Sequence, residues 1–280
     1  MHKHPYFQLY LHSNAELESL LHDKIVERSS LHEWPLSSVE LLKTAPGQRW
    51  VYKSQTRPSV EAKFYENASS PILLSCTRIE SPLPGHSHLL LPYFAAPQLE
   101  AKQLTVQEVL SLGQELHSEI SAIQGDLPVY LDIGTAERWH EQLATLLKEL
   151  EYLRSREIFQ FLSLEDIRKL DKLGQSQEIL STFDSPAYLH GDLSGKNVFV
   201  SGENFKVIDW QRPLRGPIDL DRAILLTSLG FNPANLLNPG IIKLMLFLHI
   251  RWLSECALRW FPEGSKHYDQ QIKELCQKLK

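Results

Sequence analysis

Three polar residues in the second half of the chain have a spacing that suits phosphate chemistry: Asp192, Asn197 and Asp209. Residues 197–200 and 205–208 are short β-forming runs around a Ser-Gly-Glu-Asn turn, which predicts a hairpin. Folding this hairpin places Asn197 opposite Ile208, so Asn197 and Asp209 meet at its open end. Two hard oxygen ligands side by side suit Mg²⁺. In phosphoryl transfer, one Asp orients the acceptor hydroxyl while an Asn and a second Asp hold the metal.

With His190 before Asp192 and Trp210 directly after Asp209, the segment resembles the aminoglycoside phosphotransferase and choline kinase family, whose members are relatives of the protein kinases. The resemblance spans nearly the whole chain. It implies that Asp192 is the catalytic base and that His190 supports the loop around it. It also implies that Asn197 and Asp209 are the Mg²⁺ ligands.

A further match extends this resemblance toward the C-terminus. Residues 216–220 read Gly-Pro-Ile-Asp-Leu, as in a short segment of the family, and the resemblance implies that Asp219 ties down the backbone of the catalytic loop. A lone His-x-Asp-x₄-Asn pattern would arise by chance in roughly one chain of this length in a hundred. Asp209, at the far end of a correctly sized hairpin, makes chance a poorer explanation.

A lysine and a glutamate in the first third form a second candidate pair. Residues 38–44 and 49–54 predict a hairpin, and the second of these strands carries Lys53. Pro58 and the apolar spacing after it predict a helix, on which Glu61 shares a face with apolar residues and therefore needs a cation. In the family such a pair holds the ATP phosphates. The alternatives are an edge-strand lysine that discourages aggregation and a solvated glutamate.

The apolar run at residues 89–94 resembles the linker that receives adenine in the family. Pro92 stands where an acidic residue is common, but it keeps the carbonyl that would accept the adenine amino group, and the Phe94 N–H would donate to the ring. The alternative is a buried strand followed by a loop. No Gly-x-Gly-x-x-Gly loop is found, and residues 35–38 are the best match to a phosphate-covering loop, with Ser37 or Ser38 donating backbone N–H groups.

The hydrophobic pattern around these residues changes near residue 95. The first third reads mainly as strands, including residues 72–76, with one helix. The rest reads as helices interrupted by the hairpin of the motif, at residues 106–123, 136–153, 164–173, 217–229 and 241–257. We expect an α+β, protein-kinase-like two-lobe fold: a small β-rich N-terminal nucleotide-binding lobe at residues 1–94, and a larger, mainly helical C-terminal catalytic and acceptor-binding lobe at residues 95–280.

Composition narrows the classes of partner. The 280-residue chain has a formal net charge of −5, so no global basic field is present to hold nucleic acid or an anionic membrane. Its three cysteines are widely spaced and odd in number, which argues against a disulfide framework and favours the cytoplasm. No segment is apolar over the length that a membrane span needs.

These observations predict an ATP- and Mg²⁺-dependent phosphotransferase that acts on a hydroxyl of a small molecule, such as an aminoglycoside, choline, ethanolamine or a sugar. A protein kinase is the nearest alternative, but Asp209 and Asp219 are only ten positions apart, which leaves no room for a long activation segment. A non-catalytic nucleotide-binding scaffold is the other alternative. It is disfavoured because every polar residue that the chemistry needs is present.

The sequence leaves the charge of the acceptor open. Asp132 and Glu137 lie in the region expected to bind it and would attract a cation. Arg212 and Arg215 follow the metal-binding hairpin and would favour an anion. The sequence is therefore compatible with a cationic acceptor and with an anionic one.

Overall fold

The computed structural model describes residues 1–100, 104–202 and 204–279. The β-strands in these ranges are β1 (His2–Lys3), β2 (Tyr10–Leu11), β3 (Ile25–Trp34), β4 (Ser37–Thr44), β5 (Arg49–Thr56), β6 (Thr77–Ile79), β7 (His86–Pro92), β8 (Leu131–Asp132), β9 (Pro186–Leu189), β10 (Val198–Ser201), β11 (Asn204–Val207) and β12 (Leu214–Pro217). The α-helices there are α1 (Asn14–Leu21), α2 (Glu61–Asn67), α3 (Val106–Ser121), α4 (Ala136–Ser155), α5 (Leu164–Lys172), α6 (Gln177–Leu180), α7 (Asp219–Ser228), α8 (Pro239–Glu255) and α9 (Ser265–Lys278).

The chain divides into two compact units. The first unit is built from Met1–Leu99, Ala122–Tyr130 and Lys196–Pro213. The second is built from Glu100–Ser121, Leu131–Gly195 and Leu214–Lys280. The first therefore combines the N-terminal strands with the β10–β11 hairpin, and the second holds α3 to α9. The assignment of a nucleotide-binding lobe to residues 1–94 and a catalytic lobe to residues 95–280 stays a prediction.

A five-stranded antiparallel sheet, in the order β3-β4-β5-β7-β6, organises the first unit. Successive side chains of a strand point to opposite faces, so the two faces carry different residues. Leu90 packs in a cluster with Leu11 and Leu17 of the N-terminal segment. Its neighbours Leu89 and Leu91 pack in another cluster with Ala62 of α2. The sheet is thus covered on both sides, and α2 lies against one of them.

A buried polar network fastens the N-terminal segment to this sheet. The hydroxyl of Tyr52, on β5, accepts the backbone N–H of His12 at 3.0 Å and lies 2.9 Å from the His12 Nδ1 atom. The same hydroxyl lies 3.0 Å from Nδ1 of His88, on β7. A tyrosine hydroxyl has one proton to donate, so one of the two imidazoles accepts from it and the other donates to it.

Most of the predicted elements of the first unit are confirmed, and two predictions are wrong. Residues 72–76 do not form a strand: the Ile72 carbonyl accepts from the N–H of Val207, and the Pro71 and Leu73 carbonyls accept from the side chain of Lys206. The first third also contains a second helix, α1. Its capping box, formed by Ser13 and Glu16, is readable in the sequence.

The second unit is mainly helical, as expected, and α3, α4, α5, α7 and α8 lie within a few residues of their predicted positions. Its three-stranded sheet, in the order β8-β12-β9, was not predicted. β12 pairs antiparallel with β9 and parallel with β8, so three short segments far apart in the chain are joined. No helix in the described part of the chain combines the length and the apolarity that a membrane span requires.

Candidate active site

The β10–β11 hairpin brings Asn197 and Asp209 to the same end. Val198 pairs with Val207 in the hairpin, and one step beyond that pair the N–H of Ile208 donates to the Asn197 carbonyl at 3.0 Å. The predicted pairing of Asn197 with Ile208 is therefore confirmed. Asn197 is buried and Asp209 is partly exposed, so Asp209 is the more accessible of the two side chains.

Asp209 has an unusual backbone conformation, with a φ of 69° in the left-handed region. Non-glycine residues adopt this region at a cost, and aspartate and asparagine tolerate it best. The next residue holds the chain in place: the Trp210 Nε1 atom donates to the Val207 carbonyl at 3.1 Å, and its ring stacks on Phe64 with 4.3 Å between centroids. The loop carrying Asp209 is thus anchored to α2.

Lys53 lies between two carboxylates. Its Nζ atom is 2.5 Å from Glu61 Oε2 and 2.6 Å from Asp209 Oδ1. Burial alone would lower the pKa of Lys53, but the charges of Asp209 and Glu61 outweigh burial and raise it above its ordinary value. Burial, together with the charge of Asp209, raises the pKa of Glu61 despite the lysine. The structure thus joins the buried Lys53 and Glu61 with the partly exposed Asp209 in one cluster, which has two carboxylates and one ammonium group.

Gln55 and Ser59 position the start of α2. Neither residue was predicted from the sequence to have this role. The Ser59 hydroxyl donates to Gln55 Oε1 at 2.6 Å, and it accepts the N–H of Glu61 at 3.3 Å. Gln55 follows Lys53 by two positions on β5, so both side chains point to the α2 face of the sheet. A serine two positions before a helix-starting glutamate is the sequence signal for this turn.

The residues at the end of the hairpin fit Mg²⁺. This ion prefers oxygen ligands, keeps several waters, and is usually held by one or two carboxylates together with substrate phosphates. Asn197 and Asp209 offer an amide oxygen and a carboxylate, with Lys53 alongside for phosphate. Within the described ranges there is no group of three or more His, Cys, Asp or Glu side chains that could hold a metal ion by itself. The donor set therefore suits a metal that arrives with phosphate ligands.

The segment that resembles an adenine linker follows β7. Pro92 is the last residue of that strand, and the N–H of Tyr93 donates to the Arg49 carbonyl at 3.0 Å. Phe94 is half-buried and meets Phe199 of β10 edge to ring, with 6.0 Å between centroids. Phe199 was not singled out in the sequence, because its aromatic neighbour is distant along the chain.

Residues 35–38 lie at the turn between β3 and β4, where a loop over phosphates was expected. Pro35 and Leu36 form the turn, and Ser37 begins β4. Ser38 pairs with Ser54 of β5, next to Lys53. The turn therefore lies at the Lys53 end of the sheet.

The catalytic-loop motif begins where β9 ends, in the second unit. His190 is buried, and its Nδ1 atom accepts the N–H of Asp192 at 3.2 Å. Further along, the N–H of Ser194 donates to the Asp192 carbonyl at 2.8 Å, and the N–H of Gly195 donates to the Ser228 hydroxyl at 2.9 Å. The backbone around Asp192 is thus held on both sides, on one of them by the His190 ring; the role of His190 as a support for catalysis stays a prediction.

The prediction that Asp219 holds the catalytic-loop backbone is wrong. Asp221 has this role: its carboxylate accepts the N–H groups of His190 at 2.7 Å and Gly191 at 3.0 Å. Asp219 instead pairs with Arg222 at 2.7 Å. Both aspartates are in the first turn of α7, and two positions on a helix rotate a side chain by roughly 200°, so only one of them can face the loop.

The sequence profile of the phosphotransferase enzyme family matches residues 41–244, which is more than half of the 280-residue chain. The chain belongs to the phosphotransferase enzyme family. The predicted family and the classification as a phosphotransferase are therefore confirmed. The match begins in β4 and ends in α8, so it includes every candidate site residue from Lys53 to Asp221. No curated protein matches the sequence significantly.

Solved structures show the fold of this phosphotransferase. A thermostable variant of aminoglycoside phosphotransferase APH(4)-Ia, in a complex with ADP and hygromycin B, is 12% identical; the match covers 95% of this chain and 97% of that one, with a TM-score of 0.58. Spectinomycin phosphotransferase APH(9)-Ia, in a complex with ADP and spectinomycin, is 14% identical over 96% and 99% of the two chains, with a TM-score of 0.53. Choline kinase from Cryptosporidium parvum is 13% identical over 90% and 88%, with a TM-score of 0.56. The predicted α+β, protein-kinase-like fold is confirmed.

The individual roles within this phosphotransferase remain predictions. They include the base Asp192, the metal ligands Asn197 and Asp209, and the adenine contacts of Pro92 and Phe94. The small-molecule acceptor and the cytoplasmic location remain predictions as well.

Proposed function

We propose that this phosphotransferase moves the γ-phosphoryl group of ATP to a hydroxyl of a small molecule in a Mg²⁺-dependent reaction. The observation that supports this most strongly is the buried position of Lys53 between Glu61 and Asp209. Glu61 holds the Lys53 cation, and the more exposed Asp209 shares it. If Asp209 binds a metal, Lys53 is free to contact phosphate oxygens.

The proposed roles follow from this arrangement. Lys53 contacts the α and β phosphates, and Glu61 keeps it in place. Asn197 and Asp209 would hold Mg²⁺, which neutralises charge on the β and γ phosphates when it is bound. Pro92 and Phe94 offer a backbone carbonyl and an N–H to the adenine edge. The APH(4)-Ia and APH(9)-Ia structures contain ADP, which supports an adenine nucleotide as the donor.

Asp192 is the proposed base. It orients the acceptor hydroxyl and takes its proton as the acceptor oxygen bonds to the γ-phosphorus. The bond from that phosphorus to the bridging oxygen breaks, and ADP leaves. Asp221 and Ser228 hold the backbone of the loop that carries Asp192, so the base is presented by a fixed loop.

A small acceptor is favoured over a protein. Residues 210–218, between Asp209 and α7, include the four residues of β12, which pairs with β8 and β9. That segment is therefore part of a sheet and is too short for a peptide-docking loop. The neighbours in complexes with hygromycin B and spectinomycin carry small molecules, which agrees with this proposal.

Two measurements test the function. The first is the thermal shift of the protein with ATP, with Mg²⁺ and with both; a shift that needs both supports the nucleotide site. The second is ADP release with cationic, neutral and anionic alcohols and with a serine peptide. Turnover with a small alcohol supports the proposal. Turnover with the peptide alone would favour a protein kinase, and a shift without any turnover would favour a scaffold.

A further inference from the structure

Tyr65 has a buried hydroxyl that the proposed reaction does not yet use. It lies on α2 four positions after Glu61, so the two side chains share a helix face. Its oxygen is buried and has no hydrogen-bond partner among the residues that the structure describes. A buried hydroxyl without a partner costs free energy, so its presence needs a reason.

Tyr65 packs among apolar side chains and lies within electrostatic reach of two carboxylates. Its ring packs with Leu74 and Cys76 against the cluster of Ala62, Leu89 and Leu91. Glu61 and Asp209 lie close enough for their charges to add to the effect of burial, which raises the pKa of Tyr65 well above its ordinary value. The hydroxyl therefore keeps its proton and can act as a hydrogen-bond donor toward a carboxylate.

Glu61 is the matching acceptor. Its Oε2 atom forms the 2.5 Å ion pair with Lys53, and a carboxylate has about four acceptor positions, so Glu61 has room for one more donor. An unused donor and a carboxylate that can accept one more hydrogen bond thus occur one helical turn apart on α2. A buried polar network that is only partly satisfied is costly, so a further hydrogen bond between these two groups would be favourable.

We propose that Tyr65 is a positioning residue for phosphoryl transfer, whose hydroxyl donates to the Glu61 carboxylate, directly or through one water, when nucleotide is bound. This inference rests on the proposed function. In the structure, Lys53 contacts both Glu61 and Asp209. When phosphates draw Lys53 toward them, the attraction between Lys53 and Glu61 weakens. A hydrogen bond from the Tyr65 hydroxyl to Glu61 then compensates for the lost attraction. Glu61 then stays in place and continues to hold Lys53.

The test is Tyr65→Phe, which removes the hydroxyl and keeps the ring. We expect the unfolding midpoint of the ligand-free protein to stay the same or rise, because an unpaired buried hydroxyl is lost. We expect the Kd for Mg²⁺-ATP to rise about threefold to tenfold, the effect of one hydrogen bond. Tyr52→Phe is the matched control. It removes a hydroxyl with several partners on the other face of the sheet, so it should lower the midpoint and leave the Kd unchanged.

A double-mutant cycle separates action through Glu61 from simple packing. In a Glu61→Ala background, Tyr65→Phe should have no further effect on the Kd, because the acceptor is gone. Additive losses would overturn the proposal, as would an unchanged Kd in the single variant or a fall in both midpoint and affinity. If the unaltered protein bound no nucleotide, the proposed function would fail together with this inference. If it bound nucleotide and Tyr65→Phe bound it equally well, only this inference would fail.

Discussion

The Asp221 carboxylate accepts the backbone N–H of His190 at 2.7 Å, which ties the end of β9 to the first turn of α7. Asp221 also accepts from Gly191, so two buried donors depend on one side chain. Burial raises the pKa of Asp221, and the backbone donors and His190 oppose that rise. The Asp221 carboxylate therefore stabilises the backbone of the loop before Asp192. We assign Asp221 no contact with substrate.

Replacing Asp221 by Asn should destabilise the protein, because one of the two buried N–H donors loses its acceptor. We expect the free energy of unfolding to fall by about 1–3 kcal/mol. Urea denaturation measures this. Asp219→Asn is the control, since Asp219 is partly exposed and pairs with Arg222, and it should change the stability by less than about 1 kcal/mol. Equal effects of the two substitutions would contradict the assignment of Asp221.

Asp192→Asn should separate catalysis from nucleotide binding. We expect kcat to fall about a hundredfold or more, because the base for the acceptor proton is lost. The Kd for Mg²⁺-ATP should stay nearly unchanged. Asp171→Asn, at an exposed position on α5, is the control and should have full activity. A loss of less than roughly tenfold with Asp192→Asn would show that Asp192 is not the base.

Asp209→Asn should remove most of the Mg²⁺-dependent part of the ATP-induced thermal shift, because an amide binds Mg²⁺ more weakly than a carboxylate. Asparagine suits this test since it tolerates the left-handed backbone at this position. The measurement compares shifts with ATP in Mg²⁺ and in EDTA. The same Mg²⁺-dependent shift in both proteins would exclude Asp209 as a metal ligand.

Lys53 and Glu61 should behave as one unit toward ATP. Glu61→Ala is expected to raise KM for ATP and lower kcat, since Lys53 loses the carboxylate 2.5 Å away. Lys53→Ala should be at least as damaging, and the double variant should be little worse than Lys53→Ala. Steady-state kinetics of the four proteins decide this. Fully additive losses would mean that the ion pair has no part in phosphate binding.

The His12–Tyr52–His88 network should make stability depend on pH. Burial, helped by neighbouring histidines, lowers the pKa of His88 to about 4, whereas an unfolded histidine titrates near 6.5. Between these values the unfolded chain binds more protons. The free energy of unfolding is therefore highest above pH 6.5 and falls as the pH falls toward 4, by up to about 3 kcal/mol for this residue.

Urea midpoints between pH 4 and pH 7.5 check this dependence. His88→Asn should flatten the slope, whereas His32→Asn, at an exposed position on β3, should leave it as it is. If the urea midpoint of His88→Asn still falls with pH as steeply as that of the unaltered protein, groups other than His88 cause the pH dependence.

The site was predictable from the sequence where local rules determine it. The β10–β11 register follows from a short turn, so the meeting of Asn197 and Asp209 could be predicted. The facing of Lys53 and Glu61 follows from strand and helix periodicity in the same way. Residues close together in the sequence determine both relationships. The family motif adds the predicted roles in binding metal and phosphate.

The remaining features depend on contacts between distant segments. Pattern alone could not choose between Asp219 and Asp221, because the choice depends on how α7 is rotated toward the loop after β9. Residues 72–76 have the composition of a strand, but their carbonyls bind β11 instead. Similarly, β8, β9 and β12 are too short to be recognised before their partners are known.

The left-handed backbone at Asp209 also limits how this protein can change over evolutionary time. Few side chains fit that conformation easily, and asparagine, which is neutral, is one of them. An aspartate codon becomes an asparagine codon by a single base change. A descendant of this enzyme is thus one mutation away from a protein that keeps Lys53, Glu61 and this backbone conformation but lacks the carboxylate that we propose as a metal ligand. Such a descendant would be free to act as a sensor of nucleotide and no longer as a catalyst.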